Sequence, residues 1–529
     1  MKGRAFSVVS FLQSKLNEEW IRFKTDRFVQ LFLLLIIVEL LVLLCQCQAL
    51  VDDAYISARF ARNLAEGFGL VYNRGAGLER VEGYSNFLWV LLLALGIKLG
   101  LSVRFLAQFY GVLFALASTV IVFLWIKKET GSRWLGLLGM SFLVTNIYFV
   151  IWQVEGLEVP AFGFFILASI YCLSQNKDAY AMIFSLLASL SRPDGILLFI
   201  SIGLSQIAES IKKGDDYKPL IKKWLWFIIP YLIYFSWRAI YYRSFLPNTF
   251  YARTGLGWVS LREGLLYFKD FFVQNPGVIF LILLIFYAIF WRKSLSFSIK
   301  AGLVFIGFYF LFLFLVGGDW MPNSRLLIPL LPLFYCIGIT LIHFQFAKAV
   351  HKRVILFLLC LSVVGANVFY LINYNLKDSF DKAWHRKQDK FYVPVADWLK
   401  KYVWQNQTLA LGDIGYIGYF GGHDRIIDTM GLVDRHLGRL PGISSLNTDL
   451  DYIFTQNPFC IVIMVNKYEE GVELGHSEFD RRIYNDPRFL ERYRQVIEIY
   501  GWDSEELSRS DWKKRQSKVF FRIFFSKNK

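Results

Sequence analysis

The fold is decided by residues 51–89, VDDAYISARFARNLAEGFGLVYNRGAGLERVEGYSNFLW. This polar stretch follows the first long apolar run, Phe28–Leu50, and opens with Asp52 and Asp53 where that run leaves a bilayer. Ala54, Ala58, Ala61 and Ala65, with Phe60 and Leu64, make the apolar stripe of an amphipathic helix. Asp52, Arg59 and Asn63, spaced by seven and then four residues, share another face. Gly67, Gly69, Gly75 and Gly77 break the chain into turns before Arg80-Val-Glu82-Gly-Tyr84. Carboxylates, arginines and a tyrosine crowded into a membrane-surface loop mark a site rather than a spacer.

The composition places that loop on a polytopic α-helical membrane protein. Of 529 residues, 55% are hydrophobic, 18% aromatic and only 19% charged. Repeated runs of roughly 17–25 apolar residues each match a ~30 Å hydrocarbon core. The net charge of +16 raises the question of nucleic acid. Its basic residues collect in short loops between apolar runs, which the positive-inside bias explains and nucleic-acid binding does not. Five cysteines sit inside apolar runs, Cys460 stands alone, and the histidines are scattered, so neither a disulfide framework nor a histidine metal site is expected.

Basic residues before Phe28 put the N-terminal segment, 1–27, in the cytoplasm and Asp52 outside. Phe87–Leu101 is short and carries Lys98. Charge parity makes it a juxtamembrane helix of the first external loop, 51–104, because a crossing there would put the later basic loops outside. Further spans fall near 105–126, 134–151, 158–174, 179–191, 196–210, 223–243, 276–291, 301–316, 326–346 and 353–373, about eleven in all with the first. The transmembrane domain is then 28–375, with the N-terminus in and the C-terminus out. From 376 the apolar runs shorten, predicting a small external α/β domain over 376–529. Its helices are expected at Pro394–Trp404 and Phe489–Val496, and its strands at Thr408–Leu411, Cys460–Val465 and Val519–Phe525.

With this topology, six polar motifs reach one side. Asp52 or Asp53 can cap the following helix, and one of them can be a general base, worth about 10²–10⁴ in rate. Arg59, Arg80, Arg192 and Arg325 either snorkel and pair with acids, or clamp a lipid-linked phosphate bidentately. Arg192 lies a short step from Asp194, and Arg325 from Asp319. Glu155 and Glu158, three apart, pair with loop arginines or bind sugar hydroxyls. Tyr55, Tyr84 and Trp320 fit an interfacial aromatic belt, or stack on a sugar ring. Glu82, Asp194, Asn248 and Asp319 complete the candidate sugar and acceptor contacts, although Pro247-Asn248 reads most simply as a turn.

DDAYISARFARNLAEGFGLVYN, RVEGYSNFLW, GLEVP, SRPDG, PNTFYAR, GGDWMPNSRLLIP, GDIGYIGY and IIDTMGLVD occur in that order over residues 52–434. Together they resemble the polyprenyl-phosphate-dependent membrane glycosyltransferases of the GT-C class, and within it the cell-wall arabinofuranosyltransferases that add terminal β-1,2-linked residues. The resemblance implies a GT-C fold, a polyprenyl-phosphate-linked sugar donor, and an envelope glycan acceptor on the external face. It matches Asp52 and Asp53 to the acidic pair of the first external loop. Asp52 is the preferred base, and Arg192 and Arg325 steady the departing lipid phosphate, giving inversion. The pattern extends to enzymes serving other envelope glycans, so lipopolysaccharide, capsule and protein acceptors stay open. The resemblance allows a divalent cation, but no ligand set in the sequence demands one. A flippase for lipid-linked sugars would carry charges at the bilayer midplane and internal repeats; here charges sit at one face and no repeat is visible. A non-catalytic glycan-binding subunit would tolerate loss of both aspartates.

Overall fold

The computed structural model describes residues 26–47, 49–75, 77–253, 258–278, 282, 295–319, 321–346, 363–372, 380–441, 448–468, 473–475, 477–507 and 514–527. Its N-terminal part is helical: α1 Arg27–Gln46, α2 Asp52–Ala65, α3 Phe87–Lys98, α4 Val103–Thr130, α5 Arg133–Thr145 and α6 Ile147–Val154. It continues through α7 Val159–Ser174, α8 Asp178–Ser191, α9 Ile196–Lys213, α10 Lys218–Tyr242, α11 Asn248–Arg253 and α12 Trp258–Gln274. Then come α13 Phe297–Val316, α14 Leu331–Phe346 and α15 Val363–Ile372. Their starts follow local capping chemistry. Asp26, Ser102, Ser132 and Asn146 each accept a hydrogen bond from a first-turn N–H.

Among the described residues, four helices are long and apolar enough to cross a membrane, or five if α5 and α6, bent by 66°, form one span. The expected eleven is not reached by this measure. Helices α7, α8 and α14 have 16, 14 and 16 residues. At 1.5 Å per residue that is about 21–24 Å, short of a ~30 Å core. The expected span 276–291 falls largely outside the described residues, and of 353–373 only α15 is described. Helix α12 was not anticipated. The bend at Asn146 has a clear cause: its side chain caps α6 through Phe149 N at 2.9 Å and donates to Asn275 Oδ1 at 2.8 Å.

The C-terminal part begins with α16 Phe380–Tyr402 and builds a six-stranded sheet ordered β2-β1-β3-β6-β5, with β4 paired to β3. The strands are β1 Leu409–Leu411, β2 Ile426–Asp428, β3 Cys460–Tyr468, β4 Glu473–Gly475, β5 Tyr493–Leu507 and β6 Lys514–Ser526. Strands β1, β2 and β3 pair in parallel, and β6 runs antiparallel between β3 and β5. The helix expected over Phe489–Val496 ends at Arg492, where β5 begins. Cross-strand pairing with β6 overrides the local helical pattern there.

Helix α2 lies between the two parts. Val51 N donates to Glu155 O at 3.1 Å, and Trp89 Nε1 to Gly156 O at 3.0 Å. On the other side, α2 meets α17, Tyr416–Phe420. Asn73, just after α2, uses its amide as a one-residue strand: Ile426 N donates to its Oδ1, and its Nδ2 donates to Ile426 O, both at 2.9 Å. The exposed edge of β2 is thereby covered. Gly83 permits a second close approach, because a Cβ there would sit 2.2 Å from Val433 Cγ1 and 3.1 Å from Leu432 O. We expect Gly83→Ala to force these segments apart and destabilise the protein by about 1–3 kcal/mol. A thermal melt in detergent reads this out, and an unchanged midpoint would contradict it.

Candidate functional site

One cavity, of about 270 Å³, lies where these segments converge. Asp53, Ser57, Tyr84, Asn86, Glu158, Arg192, Asp194, Asp319 and Arg325 supply its polar lining. Leu246, Phe250, Phe312 and Val316 line an apolar side, and Leu432 reaches it from the C-terminal part.

The two aspartates that open α2 part company. Asp53 lines the cavity. Asp52 faces the C-terminal part, where its carboxylate accepts from Gly415 N at 3.0 Å and Tyr416 N at 2.7 Å. Burial, then the neighbouring Asp413 charge, push the Asp52 carboxyl well above the usual range, against the pull of those N–H groups. Its capping role is not on α2, which has no side-chain cap, but on α17. Gly415 makes this possible: a Cβ there would lie 2.0 Å from Asp52 O.

Arg192 and Arg325 both reach the cavity, each on a fixed stem. Arg192 closes α8 and donates through Nε and Nη2 to Asp194, at 3.0–3.3 Å, and through Nη1 to Glu158 Oε1 at 2.8 Å. Tyr309 Oη donates to Asp194 Oδ2 at 3.0 Å, and Asn86 Nδ2 to Glu158 Oε2 at 2.9 Å. Ser57 Oγ donates to Asn86 Oδ1 at 3.1 Å, so a hydrogen-bonded chain joins α2 to Arg192. Arg325 donates from Nε to Asp319 Oδ2 at 2.7 Å. It follows Asn323 and Ser324, both left-handed at φ 60° and 51°. That strain is offset locally: Trp152 Nε1 holds Asn323 O at 3.0 Å, and Ser324 Oγ donates to Gln274 Oε1 at 3.2 Å.

Several other sequence candidates lie off the cavity lining. Arg59 is buried with its guanidinium on main-chain carbonyls: Tyr72 O at 2.8 Å, His423 O at 2.6 Å, and Gly418 O. Arg80 is exposed over the Tyr241 ring. Glu82 is buried against Arg238, whose Nε donates to both its oxygens at 3.0 and 2.8 Å. Tyr55 packs on the Tyr416 and Phe420 rings. Glu155 is buried beside Val51, off the lining. Asn248 Nδ2 holds the carbonyls of Gly431, Leu432 and Asp434 at 2.7–3.2 Å. Tyr84 lines the cavity with its hydroxyl 3.1 Å from that of Tyr242. Trp320 lies outside the described residues.

Ser57, Asn86, Tyr309 and Leu432 were not singled out from sequence. Asn86 stands inside the RVEGYSN motif and had a signal; Tyr309, one ring in an apolar helix, had none. Among the described residues no group of three or more His, Cys, Asp or Glu is placed to hold a metal ion. Three cavity carboxylates, Glu158, Asp194 and Asp319, already take arginine hydrogen bonds. That donor set does not fit a cation, and no step below is routed through one.

The loop after β2 brings Leu432 to the cavity. Asp428 is fully buried, accepting from Met430 N and Val433 N at 2.9 Å each. Burial pushes its carboxyl from 3.8 up to about 7.

Comparison with known proteins places this geometry. A crystal structure of ArnT from Cupriavidus metallidurans bound to undecaprenyl phosphate superposes with TM-score 0.55 at 11% identity, over 92% of this chain and 97% of that one. Apo ArnT from the same organism gives 0.56 at 12% identity, over 93% and 98%. The archaeal oligosaccharyltransferase AglB from Archaeoglobus fulgidus, in complex with an inhibitory peptide and a dolichol-phosphate, gives 0.53 at 10% identity, over 91% and 80%. Residues 381–519 match a domain of unknown function (DUF8728). No curated protein sequence matches the chain. The protein has the GT-C membrane fold of these glycosyltransferases.

Two outcomes follow for stability. Asp52→Asn sets an amide N–H₂ against a backbone N–H, and we expect it to cost about 1–3 kcal/mol, more than Asp53→Asn; equal thermal midpoints would contradict this. For Asp428, the folded state binds its proton more tightly than the unfolded chain does. Its contribution is therefore most favourable below the unfolded value and declines as pH rises through the window from about 4 to about 7. The slope is at most about 1.4 kcal/mol per pH unit. Melting midpoints across that window should fall more steeply for wild type than for Asp428→Asn.

Proposed function

We propose that the protein is an inverting glycosyltransferase. It moves a sugar from a polyprenyl-phosphate donor to a cell-envelope glycan on the external face of the membrane. The observation that carries this is the convergence of Asp53, Arg192 and Arg325 on one cavity with a polar and an apolar side. Lipid-phosphate ligands of the GT-C neighbours, undecaprenyl phosphate on ArnT and dolichol-phosphate on AglB, support the donor class.

The chemistry needs one base and a phosphate clamp. Asp53 takes the proton from an acceptor hydroxyl; that oxygen attacks the anomeric carbon opposite the phosphate. The bond from that carbon to the phosphate oxygen breaks, and polyprenyl phosphate leaves with the electron pair. A phosphate monoester leaves without a protonating acid, so one carboxylate suffices and one displacement inverts the centre. Asp53 is preferred over Asp52 because Asp53 lines the cavity, whereas the Asp52 carboxyl faces the C-terminal part. Arg192 spends three of a guanidinium's five donors on Asp194 and Glu158, and the others can meet phosphate oxygens. Arg325, held by Asp319, stands beside it in the lining. Leu246, Phe250, Phe312 and Val316 suit the first isoprene units of the donor. Glu158, Asn86 and Tyr84 face the sugar and acceptor.

Purified protein in liposomes, offered a panel of polyprenyl-phosphate sugars, tests the reading. One donor should turn over with inversion. Asp53→Asn should lower the rate by about 10²–10⁴ while retaining the thermal midpoint. Arg192→Lys and Arg325→Lys should each slow transfer, since Lys loses the bidentate fork. Full activity in Asp53→Asn, or donor translocation with no transfer, would sink the proposal.

A further inference from the structure

At the C-terminal end of α16 the chain exposes two large aromatic residues, Tyr402 at 52% and Trp404 at 77%. Trp404 does not sit on a loose loop. Gln407 N donates to Trp404 O at 3.0 Å, and Trp404 N donates back to Gln407 Oε1 at 3.2 Å, closing a four-residue turn. Asp424 N donates to Gln405 O at 2.9 Å, and Gln405 Nε2 to Asp424 Oδ1 at 3.1 Å. Phe459 N donates to Thr408 O at 2.9 Å. Main-chain bonds fix the turn from both ends, and an indole left in water adds little to its folding.

Beside the ring is an open depression lined by Trp404, Asn406, Gln407, Thr408 and Phe459. Its lining residues are two aromatics, two amides and a threonine, none of them charged. That combination matches a neutral sugar, whose C–H face lies on an aromatic ring while its hydroxyls exchange bonds with amides. A preformed turn adds no ordering cost on binding. The turn is also tied to the helix that bears Asp53. Asp424 O accepts from Arg74 N at 2.8 Å, and the adjacent His423 O accepts from Arg59 of α2 at 2.6 Å.

We propose that the Trp404 turn is a second glycan-binding site, which holds a neutral stretch of the acceptor chain at a fixed offset from the transfer cavity. The acceptor role rests on reading that cavity as a glycosyl-transfer site; the binding itself does not.

The test uses the full chain in nanodiscs and saturation-transfer NMR with short neutral glucan, mannan, galactan and arabinan oligosaccharides as probes. At least one series should bind. Trp404→Ala should weaken binding about tenfold or more, Trp404→Phe should keep most of it, and Asp53→Asn should leave it unchanged. With a polymeric acceptor, Trp404→Ala should raise KM and leave kcat alone; with a single-sugar acceptor neither should move. Thermal midpoints of both Trp404 variants should match wild type, because the ring is exposed. No binding by wild type, or equal binding by Trp404→Ala, overturns the proposal. So does quenching of Trp404 fluorescence by brominated lipids, which would make the ring an interfacial anchor. Absence of transfer from every donor, with Trp404-dependent binding intact, would instead remove the catalytic reading and leave the glycan site standing.

Discussion

The structure depends on one buried charge, the guanidinium of Arg59. It is 1% exposed and donates to carbonyls from Tyr72, Gly418 and His423. A cation taken out of water is costly unless its donors are met. Here main-chain dipoles meet them, drawn from the first loop and from the C-terminal part. Two helical turns earlier on α2, Asp52 binds the N–H groups of Gly415 and Tyr416. The short helix α17 is therefore held at its N-terminus by the Asp52 carboxyl and at its C-terminal carbonyls by a guanidinium, each meeting backbone groups that a helix end leaves unpaired. Arg62 adds a third bond, to Tyr419 O at 2.7 Å. These bonds tie helix α2 to residues 415–424.

With Asp52 turned to the C-terminal part, Asp53 lies on the cavity side. Successive residues on a helix point about 100° apart, so Asp52 and Asp53 cannot serve the same partner. Turning Asp52 toward α17 turns Asp53 and, one helical turn on, Ser57 toward Arg192. Ser57 continues through Asn86 and Glu158 to Arg192. Arg192 and Arg325 each keep an acid, Asp194 and Asp319, close by in sequence, which places the guanidinium before any ligand arrives. Such pairs contribute position more than stability, because desolvation offsets much of their attraction.

Much of this was readable from residue types. The helix at 52–65, the C-terminal α/β composition and the pairing of Arg192 with Asp194 and Arg325 with Asp319 follow from spacing and charge. The division of labour between the aspartates was not, because it is set by a partner 363 residues away. Arg59, Glu82 and Asn248 looked like ligand contacts for the same reason: a polar side chain reads alike whether it meets a substrate or a distant backbone. Each meets protein, at Gly418, Arg238 and Gly431. The break at Asn146 was hidden by an apolar run whose periodicity does not distinguish a straight span from a bent one, and α12, which carries Arg262, Glu263, Lys269 and Asp270, fell between the expected spans.

The cavity is finished by the C-terminal part. Asp428, at the end of β2, folds the following turn by accepting two N–H bonds. Asn248 takes three carbonyls of the same segment, and Gly83 lets Val433 approach. Leu432, the residue these contacts hold, is the one that lines the cavity. Part of its wall is thus supplied by the loop after β2, at a place where the first loop has given up a side chain to receive it. The rest of the lining comes from residues 53–326. Asp53 and Leu432 stand far apart in the chain, so the lining is complete only when the first loop and the loop after β2 are folded against each other.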